Sequence, residues 1–283
     1  MGCCLLLLPA RAGVQLGWGP TTALGPSLPG APAVAVDRFG NIVAAWVAST
    51  PSGRVVRARR HSANAAVWSE PVDLSAPQGL YSGVNGPVAV VTDAAGNAVA
   101  AWIQRDRPPG SPPEDSIHAA RYGFAMDGWS APVGLITYAP AAGLAYGGAS
   151  LRLAADPGGP VFVVWSLGYR FVTGGSVGVS TARAARYDPE TGTVIELHPL
   201  ATTVVLPASI VEPDVVVDAS GNATMLWPAS AGPGSEVMRS SEYAAAAGSW
   251  SAPVDVLAFP DQSRAYSVRT GIDALGNITA VWP

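Results

Sequence analysis

Val36-Asp37-Arg38-Phe39-Gly40-Asn41-Ile42-Val43-Ala44-Ala45-Trp46 holds the pattern on which the chain is built: an aspartate, a glycine three residues later, an apolar run, and a tryptophan nine residues after the aspartate. The same spacing returns from Asp93 to Trp102, Asp218 to Trp227 and Asp273 to Trp282, each time with Gly-Asn inside the turn, and in looser form from Asp156 through Gly158-Gly159-Pro160 to Trp165. The aspartates lie 56, 63, 62 and 55 residues apart. A unit of that length is too long for one hairpin and matches one four-stranded propeller blade.

The strands follow from the chemistry of the repeat. Asp-x-x-Gly reads as a tight turn, because the carboxylate accepts bonds from turn amides and glycine reaches the left-handed region that a bulged hairpin needs. It joins a strand a, such as Val34 to Val36 or Val215 to Val217, to a strand b that ends at the tryptophan. Runs such as Val161-Phe162-Val163-Val164-Trp165 are apolar almost throughout, as in a strand covered on both faces. A mixed strand c follows. Strand d is marked by Trp68-Ser69-Glu70-Pro71-Val72, Trp129-Ser130-Ala131-Pro132-Val133 and Trp250-Ser251-Ala252-Pro253-Val254, with Trp18-Gly19-Pro20 as a weaker relative. Its proline suits an outer edge, where no amide donor is needed. Each of the nine tryptophans thus has a place in the repeat, which assigns them to packing between units.

Composition agrees with this reading. The chain has 283 residues, 49% of them apolar and 13% charged, which suits a packed core and not a disordered segment. Glycine and proline make up about a fifth of it, as short strands joined by turns require. The expected fold is therefore all-β, a β-propeller of about five four-stranded blades with units starting near residues 33, 87, 150, 213 and 267. Residues 14–283 form one domain. Two readings of the ends stand open. The ring is closed by pairing strands from the two termini, with Cys3 to Gly13 as a strand c, or the chain is a fragment of a larger propeller. Residues 1–13 read alternatively as a vestigial secretory signal, since Ala10-Arg11-Ala12 has small-x-small form, although the n-region lacks basic residues and the apolar run is short.

Several function classes drop out. A formal charge of −4 without a basic stripe gives no support for nucleic-acid binding. The apolar run Cys3 to Leu8 is too short for a transmembrane segment. The two cysteines, Cys3 and Cys4, are adjacent and define neither a disulfide framework nor a metal site. His61, His118 and His198 lie in different units, and no cofactor or metal is expected. The Asp-x-x-Gly-Asn turns lack the alternating acidic ligands of a calcium loop.

The repeat resembles those of secreted bacterial β-propeller proteins that share architecture with sialidases and propeller lectins. The resemblance covers residues 14 to 283 and lacks the true sialidase Asp-box, in which tryptophan follows aspartate by five residues and not nine. No motif matches the sialidase arginine triad, its acidic residue or its Tyr/Glu nucleophile. What the resemblance implies is a fold and an extracellular or cell-surface setting, and fold does not imply function.

In a four-stranded meander the a-b and c-d turns share one end, and they are short here. The b-c and d-a connections share the other end and are long, so candidate ligand-binding residues are sought there: Tyr81, Arg105, Asp106, Arg107, Tyr138, Tyr146, Tyr169, Arg170, Asp261, Arg264 and Tyr266. Tyrosine and arginine bring contact area and directed polar groups. Arg57, Arg121, Arg183 and Arg239 of strand c form either a ring of like sites or a solvated outer face. No catalytic residue is assigned. The expected function is non-enzymatic recognition of a glycan or protein through the long loops; the alternatives are a sialidase-like glycoside hydrolase or a truncated propeller without activity. An acidic pair facing arginines in a central cavity would favour the enzyme.

Overall fold

The computed structural model describes residues 2–6, 21–28, 31–77, 83–106, 114–138, 144–171, 177–197, 204–207, 211–232, 235–259 and 266–283. The chain opens with a hairpin, β1 (Gly2–Leu6) and β2 (Thr21–Pro26). Sheet I contains β3 (Ala33–Val36), β4 (Ile42–Thr50), β5 (Gly53–Ser62), β6 (Val67–Trp68) and β7 (Val72–Asp73). Sheet II contains β8 (Gly83–Thr92), β9 (Ala98–Asp106), β10 (Glu114–Gly123), β11 (Gly128–Trp129) and β12 (Val133–Tyr138). Sheet III contains β13 (Leu144–Ala155), β14 (Val161–Phe171), β15 (Val177–Asp188), β16 (Thr193–Leu197) and β17 (Val204–Pro207). Sheet IV contains β18 (Asp214–Val217), β19 (Ala223–Gly232), β20 (Ser235–Ala244), β21 (Ser249–Trp250) and β22 (Val254–Ala258), and a final hairpin pairs β23 (Arg269–Ile272) with β24 (Ile278–Val281).

Each of the four sheets is an antiparallel meander a-b-c-d whose strand d comes in two pieces, both hydrogen-bonded to strand c. With the two terminal hairpins this is an all-β propeller of about five blades. The expected edge strand is present, and the structure explains why it breaks. In sheets I, II and IV the Ser-x-Pro segment interrupts the ladder. The serine hydroxyl accepts the strand c amide that would otherwise lack a partner: Ser69 Oγ from Arg60 N at 3.0 Å, Ser130 Oγ from Arg121 N at 3.0 Å and Ser251 Oγ from Glu242 N at 3.0 Å. Ser130→Ala leaves the Arg121 amide to solvent and is expected to lower stability by about 1 kcal/mol, read from urea unfolding midpoints.

The repeat aspartate does more than hold its own turn. Asp37 Oδ1 accepts the amides of Phe39 and Asn41, and Oδ2 accepts the Asn41 side-chain amide at 2.8 Å. Asn41 Oδ1 in turn accepts the Ala63 amide in the c-d turn. Asn97 with Phe124 and Asn222 with Ala245 repeat the link. This ties the two short turns of a blade together at one end. In the third blade Pro160 stands where the asparagine should be, and Arg186 donates to Asp156 at 3.3 Å instead. The glycines of the turns adopt positive φ, 81° at Gly40 and 81° at Gly221, where a side chain would be strained.

The strand b tryptophans form the interblade core. Trp46, Trp102, Trp165 and Trp227 are buried, and Leu24, Leu74 and Leu135 from a preceding strand d join the clusters around Trp46, Trp102 and Trp165. Trp282 departs from the expectation of uniform burial. It is 42% exposed: among the described strands its hairpin partner β23 is the one neighbour of β24 in the ladder, and the Trp282 ring meets Phe259 edge-on at 6.3 Å.

Candidate functional site: charged inner strands at a central cavity

Strand a is the inner strand of each blade, and its residue four positions before the repeat aspartate occupies an equivalent place in every copy. That place is alanine in the first two units, Ala33 and Ala89, but Arg152, Asp214 and Arg269 in the last three. Glu212 lies two residues before Asp214. Packing of successive blades brings these side chains together. Glu212 Oε2 accepts Arg269 Nη2 at 2.6 Å and Arg152 Nη2 at 3.5 Å, while Asp214 Oδ2 accepts the Thr270 amide at 2.6 Å and its hydroxyl at 2.9 Å.

The backbone sets these positions. The Glu212 amide donates to the Tyr266 carbonyl at 2.8 Å and the Val268 amide to the Glu212 carbonyl at 3.3 Å, in a short parallel bridge between the last two inner strands. Each arginine also donates through Nη1 to the carbonyl just before it, Arg152 to Leu151 at 2.9 Å and Arg269 to Val268 at 2.7 Å. The two guanidinium groups therefore take the same pose on neighbouring inner strands. Burial, and secondarily the like charge of Arg269, push the Arg152 guanidinium below its ordinary value.

Arg152 also lines a cavity of about 760 Å³ between the inner strands of the first three blades, with Ala33 and Val34, Pro87 to Val90, and Ala149, Leu151 and Leu153 on its walls together with Trp46 and Arg54. Its volume falls within the range of small-molecule sites. The walls are mainly apolar, and Arg152 and Arg54 bring directed charge to them.

The residues expected from sequence fare differently. Arg105 makes a two-pronged ion pair with the buried Asp115, at 2.9 and 2.8 Å, across the b-c hairpin of sheet II. Tyr138 packs against Trp165 and under the Arg183 guanidinium, 4.8 Å from its ring. Tyr266 joins the core cluster around Trp227. These three are tied into the scaffold. Tyr146 and Tyr169 stand opposite each other in the β13-β14 register, Arg170 faces Ala145, and Asp106 faces Glu114. Tyr81, Arg107, Asp261 and Arg264 lie outside the described residues.

Much of what the sequence suggests as loop is ladder: β14 runs through Phe171 and β13 begins at Leu144, so these segments extend sheet III. The arginine ring of strand c also needs correction. The register sets Arg57, His118, Arg183 and Arg239 opposite the strand b tryptophans, with Arg121 in a different row. Arg57 and Arg239 are bound to Asp73 and Asp255 at 2.6 and 2.5 Å. His118 stacks on Trp102 and His61 tilts against Trp68, while His198 lies outside the described residues. Among the described residues no cluster of three or more His, Cys, Asp or Glu could hold a metal ion, and no helix is long and apolar enough to cross a membrane.

No protein-family model matches the sequence, and no curated protein does. Among solved structures the chain is similar to a Hadza microbial sialidase, at 13% identity over 84% of this chain and 60% of that one with a TM-score of 0.34. It is also similar to the α-L-arabinanase of Penicillium chrysogenum in complex with arabinobiose, at 16% identity over 87% and 68% of the two chains with a TM-score of 0.41. A thermostable family-43 glycoside hydrolase gives 10% identity over 83% and 78% with a TM-score of 0.43. This chain thus spans less than two thirds of the sialidase. Likeness at this level concerns fold alone, and function is argued from this chain's own residues.

Proposed function

We propose that the chain is a non-enzymatic extracellular or cell-surface recognition module that binds a glycan at the rim of its central cavity. The observation that carries this reading is the pair of like-posed arginines, Arg152 and Arg269, sharing the single oxygen Glu212 Oε2 beside an apolar hollow. Arginine presents a planar fork of donors suited to sugar carboxylates and hydroxyls, and the apolar walls suit the C–H faces of a sugar ring. The long-loop positions proposed to contribute secondarily are Tyr146 and Tyr169, which stand opposite each other in the β13-β14 register.

The acidic pair Glu212 and Asp214 beside two arginines also favours a second reading, a glycoside hydrolase. Hydrolysis of that kind needs one carboxyl group that donates a proton to the leaving oxygen. Both carboxyl groups act here as acceptors: Glu212 from two guanidinium groups, and Asp214 from the Thr270 amide and hydroxyl. That bonding supports binding over cleavage.

A glycan array on the intact chain, followed by incubation of the bound glycan and assay for released sugar, tests the proposal. Binding without release is expected, with acidic sugars preferred. Arg152→Gln should weaken binding about 10- to 100-fold, the loss of one or two charge-assisted hydrogen bonds. Stoichiometric turnover of the glycan would establish the hydrolase instead.

A further inference from the structure

The short-turn end of sheets I and II carries exposed side chains that the repeat itself does not call for. Asn41, Asn97 and Asn222 each accept one amide of a c-d turn, from Ala63, Phe124 and Ala245. These three places are equivalent, and in two of them alanine suffices. Two residues further on stand Ala65, Met126 and Ala247. The place two residues after the repeat aspartate holds Ala95, Gly158 and Ser220 in sheets II to IV, but Phe39 in sheet I and Leu275 in the last hairpin. Phe39, Phe124 and Met126 are 48, 42 and 75% exposed.

Packing of sheet II on sheet I brings the two rings together. Gly96 permits the approach: a Cβ there would stand 3.2 Å from Asp37 Oδ2 and 3.4 Å from the Phe124 ring. Phe39 and Phe124 stack nearly parallel, with centroids 5.8 Å apart. The backbone amide of each is anchored, Phe39 donating to Asp37 Oδ1 at 2.8 Å and Phe124 to Asn97 Oδ1 at 3.0 Å.

Two arginines lie on these rings. The Arg38 guanidinium is 4.6 Å from the Phe39 centroid, and that of Arg60 is 5.3 Å from Phe124 and 5.2 Å from Tyr122. Arg60, Arg121 and Arg186 hold the same place on strand c, opposite Val43, Val99 and Phe162. Arg121 is paired with Glu190 and Arg186 with Asp156. In sheet I the Asn41 side chain occupies Asp37 instead, and neither Arg60 nor Arg38 makes an ion pair among the described residues. Asp127, the acid of the neighbouring c-d turn, accepts the Tyr122 hydroxyl. A guanidinium lying on a ring face keeps its in-plane fork of N–H donors for an outside acceptor.

We propose that this patch docks an acidic segment of a partner protein, with carboxylates on Arg38 and Arg60 and an apolar side chain on Phe39, Phe124 and Met126. The two arginines select an acidic partner by charge complementarity. Aromatic residues, methionine and arginine are the types enriched at protein interfaces, and an exposed, adaptable thioether suits an apolar side chain better than a hydroxyl-rich glycan. None of the five residues lines the central cavity, so this surface stands independently of the glycan reading.

The test pans a random dodecapeptide phage library on the intact chain after depletion on folded Phe124→Ala, a change to the residue type that Ala63 and Ala245 already show to fit the turn. Clones retained by the wild type alone are expected to carry Asp or Glu beside a large apolar residue. The matching synthetic peptide, titrated by fluorescence anisotropy, should bind about tenfold more weakly or worse to Phe124→Ala and to Arg60→Gln, and equally well to Arg152→Gln. Arg38→Gln, at an exposed turn position, gives the same readout without altering the ring pair. Absence of clones specific to the wild type, clones without acidic residues, or equal peptide affinity across the variants would overturn the proposal. So would a heparin oligosaccharide that binds in place of peptide and is lost in the same variants, or a concentration-dependent dimer abolished by Phe124→Ala, since these assign the patch to a polyanion or to a second copy.

Discussion

Trp165→Ala is expected to destabilise the chain by about 3–5 kcal/mol, the range for removing a large buried aromatic side chain and leaving a cavity. Trp165 is fully buried between sheets II and III, in a cluster with Leu135, Leu151, Val163 and Leu167. No polar partner for its indole nitrogen compensates the loss in either direction, so the effect is one of packing. Trp282→Ala should cost under about 1 kcal/mol, because the side chain is already 42% exposed. Equilibrium unfolding in urea of both variants checks the contrast, provided that unfolding is cooperative.

The second large effect is at the turns. Asp37→Ala removes the acceptor for two turn amides and for the Asn41 side chain, and thereby loosens the Asn41 bond to the c-d turn. Asp37 and Asn41 are both buried, so the stranded donors cannot recover water cheaply. A loss of about 2–3 kcal/mol is expected, and Asp37→Asn, which keeps one acceptor oxygen, should lose less. The same chemistry has a pH signature at the exposed copies. The Asn222 side chain first, then backbone amides of the turn, hold the Asp218 carboxyl below its ordinary value, and Asn277 does the same for Asp273. A depressed carboxyl contributes stability that is present above its unfolded value, near pH 4, and is lost as pH falls through the lower folded value. Asn222→Ala should therefore flatten the acid limb of the stability profile while leaving its neutral limb less changed.

The blade plan is legible in the sequence because local chemistry dictates it. A turn carboxylate, a left-handed glycine and a tryptophan at fixed distance each need one residue type at one place, and the copies repeat them. The charged cluster is not legible in that way. Arg152, Glu212 and Arg269 are 57 or 60 residues from their partners and meet only because blades stack. The available signal is the substitution of Arg152, Asp214 and Arg269 where Ala33 and Ala89 stand in earlier copies. The sheet extensions escape for another reason: Ser166, Gly168 and Gly174-Gly175 resemble turn punctuation, yet the first two sit in a continuous β14-β15 ladder. The arginines of strand c mislead because spacing from the tryptophan of strand d cannot reveal which row of the b-c register they occupy.

The central claim is that recognition belongs to the inner strands and not chiefly to the outer reaches of the loop face. It is tested most directly by titrating one bound glycan against the wild type, Arg152→Gln, and the double variant Tyr146→Ala with Tyr169→Ala, each first shown to be folded. The account predicts that Arg152→Gln weakens binding about 10- to 100-fold and that the tyrosine pair weakens it by a smaller factor. Undiminished binding by Arg152→Gln, with binding abolished in the tyrosine variant, would contradict it.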